Sequence, residues 1–138
     1  VITGPATNPC GSCPYRQDVP SGVWAEEEYK KLPPFDGPTA DQPMGVFMCH
    51  QQDGRICAGW AGCHDMDESL GLRIAVATGS VTREVAEEIR SYVSPVPLWS
   101  SGTEAAERGL ADLETPGPQA VKKISGLRAR LGDKLVTD

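Results

Sequence analysis

The chain has 138 residues, 39% of them hydrophobic, with a net charge of −6 and a pI near 4.9. That length fits one domain and leaves little room for a second. The acidic balance argues against a protein that wraps duplex nucleic acid, and no apolar run approaches a membrane span.

Fifteen glycines and twelve prolines make the chain loop-rich, and a small loop-rich domain commonly needs a staple. Residues 1–9, VITGPATNP, show neither a basic n-region nor an apolar h-region, and read as a flexible arm rather than a secretory leader. The CGSC loop at 10–13 follows. The stretch SGVWAEEEYKKL predicts a short helix capped by Ser21, with Ala25, Tyr29 and Leu32 on its inner face and Pro33–Pro34 ending it. Residues 33–45 read as loop. VFMC reads as a short strand delivering Cys49 and His50, and Asp53-Gly54 as a tight turn. ICAGWAGCHDM turns into a helix. SLGLRIAVATG predicts a buried helix with Leu70, Ile74 and Ala77 inward and Gly79 at its end.

The segment 81–93 is strongly amphipathic, with Val81, Val85, Ile89 and Val93 recurring every four residues. Ser101 and Glu104 fit a capping box that opens another short helix. The last predicted helix starts near Pro118 and stops at Gly132, with Ala120, Ile124, Leu127 and Leu131 as its apolar stripe. The expected architecture is an α-rich, loop-heavy small α+β domain organised around a cysteine-rich metal site. Within that single domain, residues 10–80 form the metal-site core and 81–138 a helical C-terminal part.

The chemistry concentrates in one window. Cys10, Cys13, Cys49, His50, Cys57, Cys63 and His64 stand within 55 positions, far more ligand-type residues than packing requires. A C-x2-C loop points two thiolates at one ion, and small residues such as Gly11 and Ser12 leave backbone N–H groups free to donate to the sulfurs. A turn through QQDGR would bring Cys49 and Cys57 together, completing a four-sulfur set. His50 is the alternative fourth ligand or a hydrogen-bond donor to a sulfur. Cys63, spaced near-helically from Trp60, reads as core, and His64, ahead of the acidic DMDE, as a surface or capping residue; both stay open as ligands. Four thiolates suit Zn2+, with a [4Fe-4S] cluster as the alternative, since a proline after a ligand cysteine also occurs in such sites. A thioredoxin-like dithiol ranks last, because no βαβ unit surrounds the motif. Clustered cysteines of odd number further point to a reducing, cytoplasmic setting.

Other signals are sparse. No phosphate-cradling glycine loop and no G-x-S-x-G is present, and the EEE and AEEI runs read as solvated helix faces. Arg16, just past the C-x2-C loop, would offset thiolate charge or pair with Asp18. Residues 118–132 carry Lys122, Lys123, Arg128 and Arg130 with no acid, offering a basic helix to a protein partner or nucleic acid. No reaction is indicated; the pattern points to a metal-stabilised interaction or regulatory module. An iron–sulfur redox sensor or enzyme is the competing reading.

Taken together, Cys10, Cys13, Pro14, Tyr15, Arg16 and Asp18, then Pro43, Met44, Phe47, Cys49 and His50, then Cys57 to Trp60, then Leu70, Arg73 and Ala75 form a pattern. It resembles a group of small proteins from actinobacteria and their phages that forms a family of unknown function. The resemblance covers residues 9–80, and more thinly to 109. It implies the four-sulfur set Cys10, Cys13, Cys49 and Cys57 with His50 as spare, and it implies no reaction.

Overall fold

The computed structural model describes residues 2–52 and 54–131, with side chains to residue 127. Among the described residues six α-helices are strung between loops: α1 (Glu26–Lys30), α2 (Ala58–Cys63), α3 (Leu70–Ala77), α4 (Arg83–Ser91), α5 (Gly102–Leu110) and α6 (Pro118–Leu131). The expected α-rich, loop-heavy character holds. The β component among the described residues is limited to three isolated bridges, Thr3 with Arg55, Arg16 with Leu98 and Met48 with Ile56.

Helices with strong local signals form where expected. In α4 the Thr82 hydroxyl accepts from Val85 N, and Val81, Ala86 and Ile89 are buried. Val93, placed on the same stripe by its spacing, is 83% exposed because the helix ends two residues earlier, at Ser91. In α5 the Ser101 hydroxyl accepts from Glu104 N, while the Glu104 carboxylate reaches back to Ser100 N and Oγ. Ala120, Ile124 and Leu127 of α6 are buried as their period predicts. The Asp53 and Gly132 expectations lie outside the described residues. Gly54 and Gly79 both take positive φ, at 75° and 79°, as turn and helix-end glycines do.

Two local expectations are corrected. Ser21 caps no helix: α1 starts five residues later, and the Ser21 hydroxyl donates to Gly109 O and accepts from Asp112 N. In α3 the buried face is Gly71, Leu72 and Ala75, not Leu70, Ile74 and Ala77. Gly71 sets that rotation, since its Cα packs against the Gly45 carbonyl with no room for a side chain. The N-terminal residues make backbone contacts with the middle segment: Thr3 N donates to Gly54 O, Ile56 N to Thr3 O, and Arg55 Nη1 to Gly4 O.

The two halves of the chain are interleaved. Trp99 N donates to Tyr15 O, Gln17 N to Pro97 O, and Gly22 N to Gly109 O. Tyr29 packs directly on Gly109 of α5, and its hydroxyl accepts from Val23 N and Trp24 N. One carboxylate joins the segment after α1 to α5. Asp36 accepts from Gly102 N at 2.7 Å, Thr103 N at 2.7 Å and Thr103 Oγ1 at 2.6 Å, and faces His64 Nε2 at 3.0 Å. Those donors outweigh burial and hold its carboxyl below the usual range. Asp36→Ala will cost about 2–3 kcal/mol in urea unfolding, because it strips the α5 N-terminus of its acceptor. A loss under about 0.5 kcal/mol would refute this anchoring role.

Candidate metal centre

The CGSC loop is two consecutive turns, closed by Cys13 N to Cys10 O and Arg16 N to Cys13 O. Trp24 Nε1 pins the loop from inside, donating to Ser12 O at 2.6 Å. Across from it, Cys49 N donates to Arg55 O and Cys57 N to Phe47 O, and these bonds bring the flanks of Cys49 and Cys57 side by side. Cys57 then caps α2, its sulfur accepting from Trp60 N at 3.5 Å.

These segments bring four sulfurs into one neighbourhood. Cys13 Sγ lies 3.9 Å from Cys57 Sγ, and Cys10 faces both Cys13 and Cys49. The sulfurs run as a chain, Cys49, Cys10, Cys13, Cys57, so the close contacts cross between loops as well as within them. As they stand, no three His, Cys, Asp or Glu side chains among the described residues converge on a metal-holding point. The inner pair, Cys13 and Cys57, is 1% and 3% exposed, while Cys10 and Cys49 are half-buried.

Cys10, Cys13 and Cys49 resist ionisation. Cys13 pushes the Cys10 thiol up, with burial adding to it and Cys49 opposing. Cys10 draws the Cys13 thiol down, but Cys57 and burial outweigh it and drive it well up. Cys49 is raised by Cys10 and by burial. Thiols so disposed are poor nucleophiles unless a cation takes the place of their protons. Two cationic side chains stand close by. Arg16 holds Asp18 through two bonds of 2.8 and 2.7 Å, donates to Pro9 O, and feels the Cys13 and Cys10 sulfurs. Lys123 of α6 reaches over the loop, where a Cβ on Gly11 would stand 3.8 Å from its Nζ.

The remaining candidates are turned elsewhere. His50 Nε2 lies 2.7 Å from Glu28 Oε1, and its ring packs on Trp24 at 4.6 Å. Cys63 Sγ donates to Trp99 O at 3.4 Å, and burial, with Asp36 and Glu104 nearby, pushes its thiol up to about 12. Both ring nitrogens of His64 face oxygen acceptors, Trp60 O and Asp36 Oδ1, each at 3.0 Å.

Sequence reasoning missed Glu28. Its run, EEE, reads as a solvated face, yet its side chain is only 11% exposed and takes Lys31 Nζ at 3.1 Å on both oxygens. Burial alone would raise its pKa, but Lys31 and His50 prevail and leave it lowered. The signal was its spacing: Glu28 lies four positions before Leu32, on the inward side of α1. Lys123 was missed as a neighbour of the loop because contact across 112 positions leaves no local trace.

The model of a family of unknown function, DUF6283, matches residues 5–128. No curated protein and no solved structure matches the chain.

Proposed function

The chain belongs to the DUF6283 family, and we propose that Cys10, Cys13, Cys49 and Cys57 hold one zinc ion that clamps the N-terminal loop to the middle turn. The observation that carries this reading is the 3.9 Å contact between Cys13 and Cys57. Two sulfurs sharing a tetrahedral zinc at about 2.3 Å are about 3.8 Å apart. In a [4Fe-4S] cluster each cysteine binds a different iron, which holds the sulfurs further apart, so the contact weighs toward a single ion. Closing the set requires Cys10 and Cys49, both half-buried, to turn toward the inner pair. Arg16 and Lys123 would offset the charge of four thiolates.

Such a centre is structural. A closed four-thiolate shell leaves no position for water or substrate, so the metal would serve folding and the surface would serve function. We read the chain as a metal-stabilised interaction module. Its docking face for an acidic protein or nucleic acid would be the outside of α6, where Lys122 is exposed while Lys123 is drawn inward. No helix among the described residues is long and apolar enough to cross a membrane.

The test is metal analysis with an optical spectrum on protein purified without oxygen or chelator. One zinc per chain in a colourless protein supports the reading, and Lys122→Glu should keep that zinc. A brown protein containing iron and acid-labile sulfide would replace zinc by the cluster. Five freely titrating thiols with no metal would overturn both.

A further inference from the structure

A cavity of about 650 Å3 opens beside the cysteine cluster, and Cys49 is the member of the four that lines it. Its walls include Phe35, Phe47 and Met48, and its polar end is formed by Glu28, His50 and Lys31. A volume of roughly 300–1,000 Å3 with apolar walls and a few converging polar groups is the ordinary form of a small-molecule site.

The polar end selects a charge. Glu28 is a nearly buried carboxylate, 11% exposed, fixed from the inner side by His50 Nε2 at 2.7 Å. From the outer side it is occupied by the Lys31 ammonium, 3.1 Å from each oxygen, on a side chain that is 56% exposed. The chain thus already seats a primary ammonium on this carboxylate, at the end of a flexible stem reaching in from solvent. The lysine side of this i,i+3 pair is exposed and its ammonium is held by nothing else among the described residues, so a ligand's ammonium can displace it. The aromatic wall suits an apolar body: Phe35 and Phe47, which meet edge to face at 5.7 Å, both line the cavity.

We infer that this cavity binds a small organic cation, an amine with an apolar body, whose ammonium takes the place of Lys31 on Glu28 while the body lies against Phe35 and Phe47. The inference does not depend on the zinc. A metal-free chain that still selects the amine would leave it standing while the preceding proposal fell.

Three probes of one size and different charge test it: 4-phenylbutylamine, 4-phenylbutanol and 4-phenylbutanoate. Each is titrated into the full chain and followed by tryptophan fluorescence, since Trp24 packs on His50, and by amide NMR shifts. The amine should bind at least about tenfold more tightly than the carboxylate, the difference expected for one charge-assisted contact. Lys31→Met should tighten the amine about two- to threefold by removing its competitor, and leave the alcohol unchanged. Glu28→Gln should abolish the preference for the amine, with its melting temperature measured alongside. Should Glu28→Gln fail to fold, the Lys31→Met titration decides. Carboxylate binding equal to or tighter than the amine, weakening of the amine by Lys31→Met, or no shift at cavity residues with any probe would each overturn the assignment.

Discussion

A Cys13→Ser variant will purify without stoichiometric zinc and melt far below the parent chain. Cys13 is 1% exposed, touches Cys57 at 3.9 Å and faces Cys10, so it occupies the middle of the sulfur chain. A serine hydroxyl at that point is a hard, protonated oxygen that does not replace a thiolate on zinc. Structural zinc contributes roughly 10–16 kcal/mol in small zinc-folded domains, against a total stability of about 5–15 kcal/mol for an ordinary domain. Losing even a third of that contribution lowers the melting temperature on the order of 15 °C in a chain of this size. Cys63→Ser is the internal control. Its sulfur donates to Trp99 O, away from the other four, so zinc is retained and the stability loss stays near about 1 kcal/mol. A Cys13→Ser protein with the parent's melting temperature and metal content would refute the centre.

Gly59→Ala will destabilise the chain although it improves a helix. By propensity, alanine for a helical glycine adds up to about 1 kcal/mol of stability. The packing reverses that sign. A Cβ at Gly59 would overlap Cys13 Sγ and stand 2.8 Å from Tyr15 Cβ, in the first turn of the helix that Cys57 caps. Either the Cys13 sulfur moves or α2 slides, and either motion separates Cys13 from Cys57. The expected cost is about 2–3 kcal/mol by chemical denaturation, as for overpacked cores, with zinc affinity falling in parallel in a competition assay. Gly126→Ala, on α6 with nothing within 4 Å of its Cβ, should be neutral or slightly stabilising. If both alanines behave alike, Gly59 is not the contact surface of the cysteine cluster.

What could be read from the sequence divides along the range of the forces. The starts of α4 and α5 were legible because caps and apolar period act within a few residues, as Ser101 with Glu104 shows. The cysteine neighbourhood was legible because its members are chemically rare. Which sulfur would touch which was not. Spacing pairs Cys10 with Cys13 and Cys49 with Cys57, whereas the structure also sets Cys10 against Cys49 and Cys13 against Cys57. That arrangement depends on how two distant loops dock. The face of α3 was misassigned for the same reason, since the approach of Gly45 to Gly71 decides it and no periodicity within α3 carries that information. Glu28 was hidden by its company: three glutamates in a row look solvated until a histidine 22 positions away turns one inward.

The stitching of the N-terminal loop to residues 97–109 also carries a consequence for how the protein is made. Tyr15, Gln17 and Gly22 find their backbone partners in Trp99, Pro97 and Gly109. On a ribosome those partners are synthesised long after the loop, so the backbone bonds that hold Tyr15, Gln17 and Gly22 wait for residues 97–109 to emerge. Contacts so distant in sequence form slowly. Throughout that interval the thiols are open to oxidation, and a nascent chain that captured zinc early would shield them before its fold could.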